Sequence, residues 1–444
     1  MTGQRRILIV TYPGQGLVNP SLRFANHLLK MGVLVTFSSS FSIIRRIDKQ
    51  NTSQGLTFAP FFDGHDNGIQ PTTNLKEFLT DFETNGSCAI AEIISSAAAT
   101  GKPFDHLIYT TIVPWGARVA NAHNLKSTLL WCQPATVLGI YYYYFNGYED
   151  LISSNKNNPT FSINLPRLPP LTIADLPSFF SPSSPTEHDC ILSLYKNHID
   201  ALKTSSRILI NTFDELEIES IKAIDKFNFL PIGPLIPSEL LEEKVTLSRK
   251  EEEAYIQWLN TKPKSSVVYV SFGSWYNLTI DQGEEMSAGL LESGRPFLWV
   301  IRDGAEAAKL SKIDELKKQG MIVDWCSQVE VLTHKAVGCF VTHCGWNSTV
   351  ETLVAGIPVV AFPQWTDQGT NAKLIVDVWK IGVQVRIREG DGVAEGKEIT
   401  RCVEMVMGDG EMRENVVKWS ELARKALSNG GLSTVNLQAF LDDA

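Results

Sequence analysis

Apolar residues in the first third of the chain alternate between two spacings. A continuous apolar run at residues 7–12 predicts a buried strand, and a glycine-rich turn follows it at residues 14–16. Residues 20–31 then carry apolar side chains at helical spacing, and residues 33–38 form the next apolar run. A strand, a helix and a second strand in this order predict a βαβ unit and therefore a parallel sheet.

The same alternation continues along the rest of the chain. Further strands in the first half are expected at residues 56–60, 106–110, 127–131 and 207–211. In the second half the pattern predicts strands at residues 267–272, 297–301, 321–323, 339–343 and 358–362, with helices at 281–293, 328–333 and 350–355. The final stretch, residues 412–443, is amphipathic and is expected to be helical.

Proline-rich stretches interrupt this alternation at two places. Six prolines between residues 165 and 185 predict a loop or lid with short helical turns, because proline removes an N–H donor and fixes φ. Residues 231–237 contain three more prolines, and the charged stretch 239–253 follows them. This second interruption is typical of a linker between domains.

The length of the chain also favours two domains. A chain of 444 residues exceeds what one hydrophobic core normally supports. We therefore expect two doubly wound α/β domains, at residues 1–237 and 238–427, facing each other across a cleft. The terminal helix, at about residues 428–444, is expected to pack back on the first domain.

Composition and charge narrow the class of protein. A net charge of −9 argues against a nucleic-acid partner, because no basic excess exists to neutralise phosphates. Seven scattered cysteines with no C-x-x-C pair predict reduced thiols in the cytosol, not a disulfide frame or a zinc site. The longest apolar run, residues 137–145, is too short to span a bilayer, and residues 7–12 are too few for a secretory signal. A cytoplasmic protein is expected.

One block of 44 residues, at 325–368, combines an aromatic residue, a turn of small residues and a polar pair. Its centre, THCGWNS at residues 342–348, lies between an apolar run and a helical stretch. A glycine turn from a strand into a helix leaves backbone N–H groups that suit a phosphate. The whole block closely resembles the plant secondary product glycosyltransferase box, the donor-binding signature of plant UDP-sugar glycosyltransferases. This resemblance implies the GT-B fold, with two Rossmann-like domains, and UDP-glucose as the donor substrate.

The resemblance also assigns roles within the block. The uracil ring is expected to lie on Trp325, with specificity from the backbone at Cys326 and from Gln328, because stacking alone tolerates any base. Glu351 is implied to hold the ribose hydroxyls. The diphosphate is implied to contact four polar residues: Ser274, His343, Asn347 and Ser348.

The end of the block is implied to hold the sugar. Asp367 and Gln368 are expected to bind its hydroxyls, glutamine at this position favours glucose, and Trp346 is expected to line the sugar pocket. No metal and no further cofactor are expected, because no Asp-x-Asp pair occurs near the block. The helix N-terminus and a hydrogen bond from His343 would instead stabilise the charge on the departing UDP.

The first βα turn departs from the family pattern at the catalytic residue. Most members have Gln-Gly-His-x-Asn-Pro there, whereas residues 15–20 of this chain are QGLVNP. Leu17 thus occupies the position of the family's general-base histidine, and Thr110 occupies that of its aspartate partner. The absence of this base should lower the rate strongly, because a positioned base typically supplies about 10²–10⁴-fold in rate.

Three explanations of Leu17 stay open. The first is a deliberate inactivating substitution. The second is an acidic acceptor, because a carboxylic acid with a pKa near ~4 is already ionised at neutral pH whereas a phenol near ~10 is not. The third is that another residue or a water supplies the base, or that the chain only binds its ligand.

Four further stretches resemble one subgroup of the family, at residues 55–64, 140–150, 232–238 and 262–274. They are similar to anthocyanin 5-O-glucosyltransferases and related flavonoid and carboxylic acid glucosyltransferases. The implied function is inverting transfer of glucose from UDP-glucose to a hydroxyl or carboxyl of a small plant secondary metabolite, by a monomer. Thr136 and Trp275 are candidate residues of the acceptor or sugar pocket. The alternative is a non-catalytic or deliberately inactivated UDP-sugar-binding protein of the same fold.

Overall fold

The computed structural model divides the chain into two compact units. Unit 1 comprises Met1–Leu235 together with Ala426–Ala444, and unit 2 comprises Ile236–Lys425. Each unit contains its own large sheet of parallel strands. The residues that the structure describes are 4–47, 54–65, 67–68, 73–181, 189–203, 207–237, 240, 254–273, 278–302, 307–388 and 390–443.

Unit 1 is organised around a seven-stranded parallel sheet. Its strands are β1 (Arg6–Val10), β2 (Leu34–Ser38), β3 (Leu56–Phe58), β4 (His106–Thr110), β5 (Lys126–Trp131), β6 (Ser162–Ile163), β7 (Leu171–Thr172), β8 (Arg207–Ile210) and β9 (Asn228–Pro231). β6 and β7 form a separate antiparallel pair, and the others follow the order β3-β2-β1-β4-β5-β8-β9. The strand order changes direction between β1 and β4. Open parallel sheets bind ligands at such a switch point, outside the carboxyl ends of the strands.

Helices connect the strands of unit 1 and cover the two faces of its sheet. They are α1 (Gln15–Lys30), α2 (Phe41–Ile44), α3 (Leu75–Ala99), α4 (Trp115–Ala122), α5 (Ala135–Tyr143), α6 (Glu149–Asn155), α7 (Asp189–Leu202) and α8 (Ile218–Ile221). The proline-rich stretch contains the short 3-10 turns Ile173–Asp175 and Ser178–Phe180, as predicted, while residues 182–188 lie outside the described part.

Unit 2 contains a six-stranded sheet whose neighbouring strands are all parallel. Its strands are β10 (Val267–Ser271), β11 (Phe297–Val300), β12 (Met321–Val323), β13 (Val337–Thr342), β14 (Val359–Ala361) and β15 (Gly382–Gln384). Its helices are α9 (Ala254–Asn260), α10 (Ile280–Glu292), α11 (Ile313–Gln319), α12 (Gln328–Thr333), α13 (Trp346–Ala355), α14 (Gln368–Lys373) and α15 (Gly396–Gly408). The order β12-β11-β10-β13-β14-β15 puts the switch point between β10 and β13.

The last part of the chain is helical, as expected. It forms two helices, α16 (Gly410–Leu427) and α17 (Leu432–Asp443). Gly430, with a φ of 81°, lies in the break, and this left-handed conformation ends a helix at little cost only for glycine. The break lets α17 place Leu437, Phe440 and Leu441 in the core beside the sheet of unit 1.

The predicted strands are all present, and their ends agree with the structure to within two residues. The start of α1 differs more, because the helix begins at Gln15 and includes Pro20 within it. In the described residues, no helix has both the length and the apolar character needed to cross a membrane.

Candidate active site

The turn after β13 lies at the switch point of unit 2 and contains the centre of the block. β13 ends at Thr342, and α13 begins at Trp346 with Gly345 as its N-cap. Cys344 has a φ of 63°, which is rare for a residue with a side chain. The Gly345 N-cap has no side chain to occupy the first N–H groups of α13. A helix start without a side-chain cap suits an anion.

His343 is held between two glycines at this switch point. A Cβ atom on Gly273, which follows β10, would lie 2.7 Å from His343 Nε2. A Cβ atom on Gly345 would lie 2.5 Å from the same nitrogen. Both distances are shorter than van der Waals contact, so both glycines are required for the ring to take this place. His343 as a whole residue is partly buried.

The imidazole of His343 is neutral in this setting. Burial lowers its pKa to about 4, a hydrogen bond to the Ser271 backbone opposes the shift, and the Arg302 charge adds to it. A neutral ring can donate one hydrogen bond without bringing a full positive charge into the site. Donation to a developing negative charge therefore requires that this N–H turn from the Ser271 backbone to the ligand, and the role stays a prediction.

The N-terminal halves of α12 and α13 bring three predicted ligands together. Gln328 Nε2 donates to Glu351 Oε2 at 2.7 Å and to Ser348 Oγ at 3.0 Å. Glu351 is only 4% exposed, so this contact orients a carboxylate that is largely removed from water. Asn347 lies in the same first turn of α13. The contacts of these residues with a nucleotide stay a prediction.

The predicted uracil platform lies on the connection between β12 and α12. Trp325 is 58% exposed, which is unusual for the largest apolar side chain. The next residue, Cys326, is buried, and its thiol lies 3.6 Å from the hydroxyl of Tyr269. The buried neighbour fixes the backbone while the indole stays open to a ligand.

The polar pair at the end of the block is held by its own helix, α14. Asp367 Oδ2 accepts a hydrogen bond from Asn371 Nδ2 at 2.8 Å, and the same amide nitrogen donates to the carbonyl of Cys344 at 2.8 Å. Gln368 Oε1 accepts the backbone N–H groups of Gln364 and Trp365 at 2.9 and 3.1 Å. The two side chains therefore have fixed orientations before any sugar binds.

Three other predicted residues of this region have different outcomes. Trp346 is 4% exposed, and its ring packs on Trp379 at 6.1 Å, so little of it is open to a ligand. Ser274 and Trp275 lie outside the described residues. Within the described part, no group of three or more potential metal ligands is present. The absence of a metal or cofactor from the reaction stays a prediction.

In unit 1, Leu17 and Thr110 lie at the switch point between β1 and β4. Leu17 lies in the first turn of α1, because this helix begins at Gln15. The N–H of Leu17 donates to the carbonyl of Gly14 at 2.9 Å. Its half-buried side chain packs against both core clusters of the unit. A leucine offers no atom that can accept a proton there.

Thr110 is the last residue of β4 and is fully buried. Its hydroxyl donates to the Thr11 hydroxyl at 3.1 Å, across the two central strands. The turn that follows contains Ile112 with a φ of 72°. Thus the structure brings the two positions of the family's catalytic pair to one sheet edge, without the groups that would titrate.

The structure argues against Thr136 as a pocket residue. Its side chain is fully buried at the start of α5, and its hydroxyl is 2.9 Å from both Glu217 Oε1 and Ser220 Oγ. Glu217 also accepts the backbone N–H groups of Ala135 and Thr136. Thr136 therefore belongs to a buried helix cap. No local sequence pattern indicates this partner, which lies 81 residues further along the chain.

Sequence reasoning missed two residues that hold these sites in place. Asn371 was not predicted because it lies beyond the end of the block, although its spacing of four residues from Asp367 indicates neighbours on one helix face. His198 was missed because its partner, Ile112, is 86 residues away.

Comparison with known proteins identifies the class of the molecule. Residues 234–426 match the family model described as UDP-glucoronosyl and UDP-glucosyl transferase. UDP-glycosyltransferase 75C1 of Solanum lycopersicum is 51% identical to the chain, over 99% of the chain and 98% of that protein. An anthocyanidin 3-O-glucoside 5-O-glucosyltransferase of Verbena hybrida is 45% identical, over 98% of each. The structure of Os79 from O. sativa in complex with UDP has a TM-score of 0.85 at 29% identity, and the match covers 98% of this chain and 99% of that one.

Two parallel α/β units, with likeness to solved glucosyltransferase structures over almost the whole chain, define a GT-B glycosyltransferase. The chain belongs to the UDP-glucoronosyl and UDP-glucosyl transferase family, among its plant members with the secondary product box. The predicted fold class and family are confirmed.

Proposed function

We propose that the protein transfers glucose from UDP-glucose to a hydroxyl or carboxyl of a small plant secondary metabolite, with inversion at the anomeric carbon. The observation that carries this proposal is the organised polar edge of unit 2. There, His343, Glu351 and Asp367 are each held in one orientation by protein contacts. Such fixed orientation lowers the cost of binding a flexible sugar nucleotide.

The proposed reaction is a single displacement. The acceptor oxygen forms a bond to the anomeric carbon while the bond from that carbon to the diphosphate oxygen breaks, and UDP leaves with the electron pair. The negative charge that grows on the diphosphate would be stabilised by the N–H groups at the start of α13 and by a hydrogen bond from His343. Unit 2 would thus supply leaving-group stabilisation.

The acceptor proton is the open part of this scheme. With Leu17 and Thr110 at the positions of the family's base and its partner, neither position offers a proton acceptor of suitable pKa. An acceptor that is already ionised needs none, and this favours carboxylic acids or acidic phenols over ordinary phenols. Likeness to an anthocyanidin glucoside glucosyltransferase supports a flat aromatic acceptor.

The second candidate function is binding of a UDP-sugar without turnover. The observation in its favour is again Leu17 with Thr110. Unit 2 has an organised polar edge, but the catalytic positions of unit 1 hold an apolar side chain and a hydroxyl, and this combination suits a protein that binds without turnover. A deliberate inactivating substitution at Leu17 would produce the same arrangement.

Two measurements separate these candidates. Isothermal titration with UDP and with UDP-glucose tests the donor site, and product analysis with flavonoids and aromatic acids tests transfer. The proposal expects binding of both nucleotides and β-linked products, with esters of the acids formed faster than glycosides of the neutral phenols. Binding with no product from any acceptor would favour the second candidate. A cytoplasmic location and a monomeric state stay part of the proposal.

A further inference from the structure

The turn that follows β4 has an unusual residue in its third position. Thr110 O accepts a hydrogen bond from the N–H of Val113 at 3.1 Å, so residues 110–113 form a β-turn. Of these four residues only Ile112 has a positive φ, at 72°, which is the pattern of a type II turn. That position normally holds glycine or asparagine.

A branched side chain makes this conformation unfavourable for Ile112. Its two substituents on Cβ crowd the backbone in the left-handed region, so the turn persists only if its surroundings enforce it. Backbone outliers of this kind concentrate at functional sites. The turn begins at Thr110, and Ile112 packs against the same core cluster as Leu17. It therefore belongs to the switch-point edge of unit 1.

The contact that enforces the turn comes from α7. His198 Nε2 accepts the backbone N–H of Ile112 at 3.0 Å. His198 is 1% exposed, with its ring stacked on Tyr109 at 6.1 Å and edge-on to Trp131 at 6.4 Å. These two aromatic neighbours prevent the ring from turning away from the amide.

The bond also defines the protonation of the ring. An imidazole nitrogen that accepts a hydrogen bond carries no proton, so the proton of neutral His198 lies on Nδ1. Burial lowers the pKa of His198 to about 3, which keeps Nε2 available as an acceptor at neutral pH. A buried histidine by itself indicates only core packing. His198 in addition accepts the hydrogen bond of the Ile112 N–H in a strained turn.

We propose that His198 is a positioning residue for the acceptor substrate: through its bond to the Ile112 N–H it holds the strained turn at the β4 edge in the form that orients the acceptor. The inference rests on the proposed function, because it takes this edge as the acceptor side of the reaction. Half-buried Ile112 has surface left to contact an acceptor. The residues proposed to bind the donor lie in unit 2, whereas this turn lies in unit 1.

The first test compares three variants with an acceptor that the parent enzyme turns over. His198→Leu keeps the bulk but removes the acceptor nitrogen, and His198→Gln places an amide oxygen near the position of Nε2. We expect His198→Leu to lower kcat/KM for the acceptor about tenfold, with the KM for UDP-glucose unchanged, and His198→Gln to recover most of the loss. His106→Leu, at another buried histidine of unit 1, is the matched control and should lower stability without changing the acceptor KM.

The second test locates the effect at the turn. Glycine adopts a positive φ without strain, so a turn with Ile112→Gly no longer needs enforcing. In this background the effect of His198→Leu on kcat/KM should shrink from about tenfold to less than about threefold. If His198 had only a general packing role, its effect would not depend on the residue at position 112.

Three results would overturn the inference. One is a His198→Gln variant as impaired as His198→Leu, another is an equal loss in the Ile112→Gly background, and the third is a parallel change in the KM for UDP-glucose. If the parent chain turns over no acceptor at all, the proposed function fails instead. Melting temperatures measured beside the kinetics separate a folding defect from a change in acceptor positioning.

Discussion

At the switch point of unit 2, the carboxyl edge of the sheet carries an imidazole and two carboxylates, each held by neighbouring groups. At the switch point of unit 1, the corresponding edge carries the side chain of Leu17 and a hydroxyl pair, Thr110 with Thr11. Both sheets are parallel and both edges are formed by a strand, a turn and a helix. The topology is shared, and the chemistry differs.

The difference separates two tasks of a sugar transfer. Holding a nucleotide and stabilising its departure need fixed donors and acceptors, and unit 2 has them. Removing a proton from the acceptor needs a group of suitable pKa, and the dyad positions of unit 1 lack one. We therefore expect the rate to depend on the acidity of the acceptor more than in relatives that have the histidine. A variant at one edge leaves the other edge as its control.

The largest effect is expected from restoring a base at the edge of unit 1. Leu17→His should raise kcat/KM for a phenolic acceptor about 10²-fold or more, because a positioned base supplies at least that factor. A carboxylic acid acceptor, which arrives ionised, should gain much less. Initial rates with both acceptors, at saturating UDP-glucose, measure the contrast.

Two variants control this prediction. Leu17→Asn places a polar but non-basic side chain at the same position and should leave the rate with phenol low. Adding Thr110→Asp to Leu17→His restores the partner that the family uses to orient the histidine, and it should increase the gain. An unchanged rate in Leu17→His would show that residue 17 does not lie at the reacting oxygen.

In unit 2, the exposed indole gives the next effect. Trp325→Ala should weaken UDP binding by roughly 1–3 kcal/mol, the usual contribution of a base stacked on an aromatic ring. The cost to folding should be small, because Trp325 is 58% exposed. Trp365→Ala is the control, since Trp365 is also exposed but adjoins the residues proposed to hold the sugar, which UDP lacks. Calorimetric UDP affinity equal to that of the parent would refute the stacking assignment.

A smaller effect should follow from crowding His343. In Gly345→Ala the new methyl group would lie 2.5 Å from His343 Nε2, so the ring must move. Overpacking of this kind costs about 1–3 kcal/mol, and we expect UDP affinity to fall about tenfold. Gly408→Ala, where nothing lies within 4 Å of the added carbon, is the matched control. Equal UDP affinity in both variants would mean that the position of His343 does not matter for the diphosphate.

The sequence predicted much of this fold because its buried strands are continuous apolar runs. It did not predict β15 (Gly382–Gln384), which is three residues long and contains a glycine. The start of α1 was placed too late because Pro20 resembled a first helical residue, which proline favours.

The residues of the candidate site also differ in whether the sequence could predict them. Asp367 and Gln368 could be proposed as sugar ligands because the block that contains them is continuous in sequence. Residues that orient the ligands from elsewhere were not, because side-chain contacts such as Ile112 with His198 depend on tertiary packing. Thr136 was placed in a pocket for the same reason, since its buried partner Glu217 is distant in sequence.

The smallest effect concerns stability in acid and compares the buried histidines of the two units. Burial, and then the charges of Lys126 and Arg207, lower the pKa of His106 to about 4. The unfolded chain protonates near ~6.5, so between these values only the unfolded state binds the proton. The free energy of unfolding must therefore fall as the pH drops from 6.5 towards 4. At pH 5.5 the share of His106 is about 1 kcal/mol.

Substitution of His106 removes this share from unit 1 and leaves His343 of unit 2 unchanged. His106→Gln retains a polar group near Thr128, which lies 2.9 Å from His106 Nε2. The stability difference between parent and variant should therefore shrink by about 1 kcal/mol between pH 7.5 and 5.5, measured by urea unfolding. The acid sensitivity that remains in the variant would include the part due to His343, whose pKa is also about 4. Parallel pH profiles for parent and variant would show that His106 is not the group that unfolding protonates.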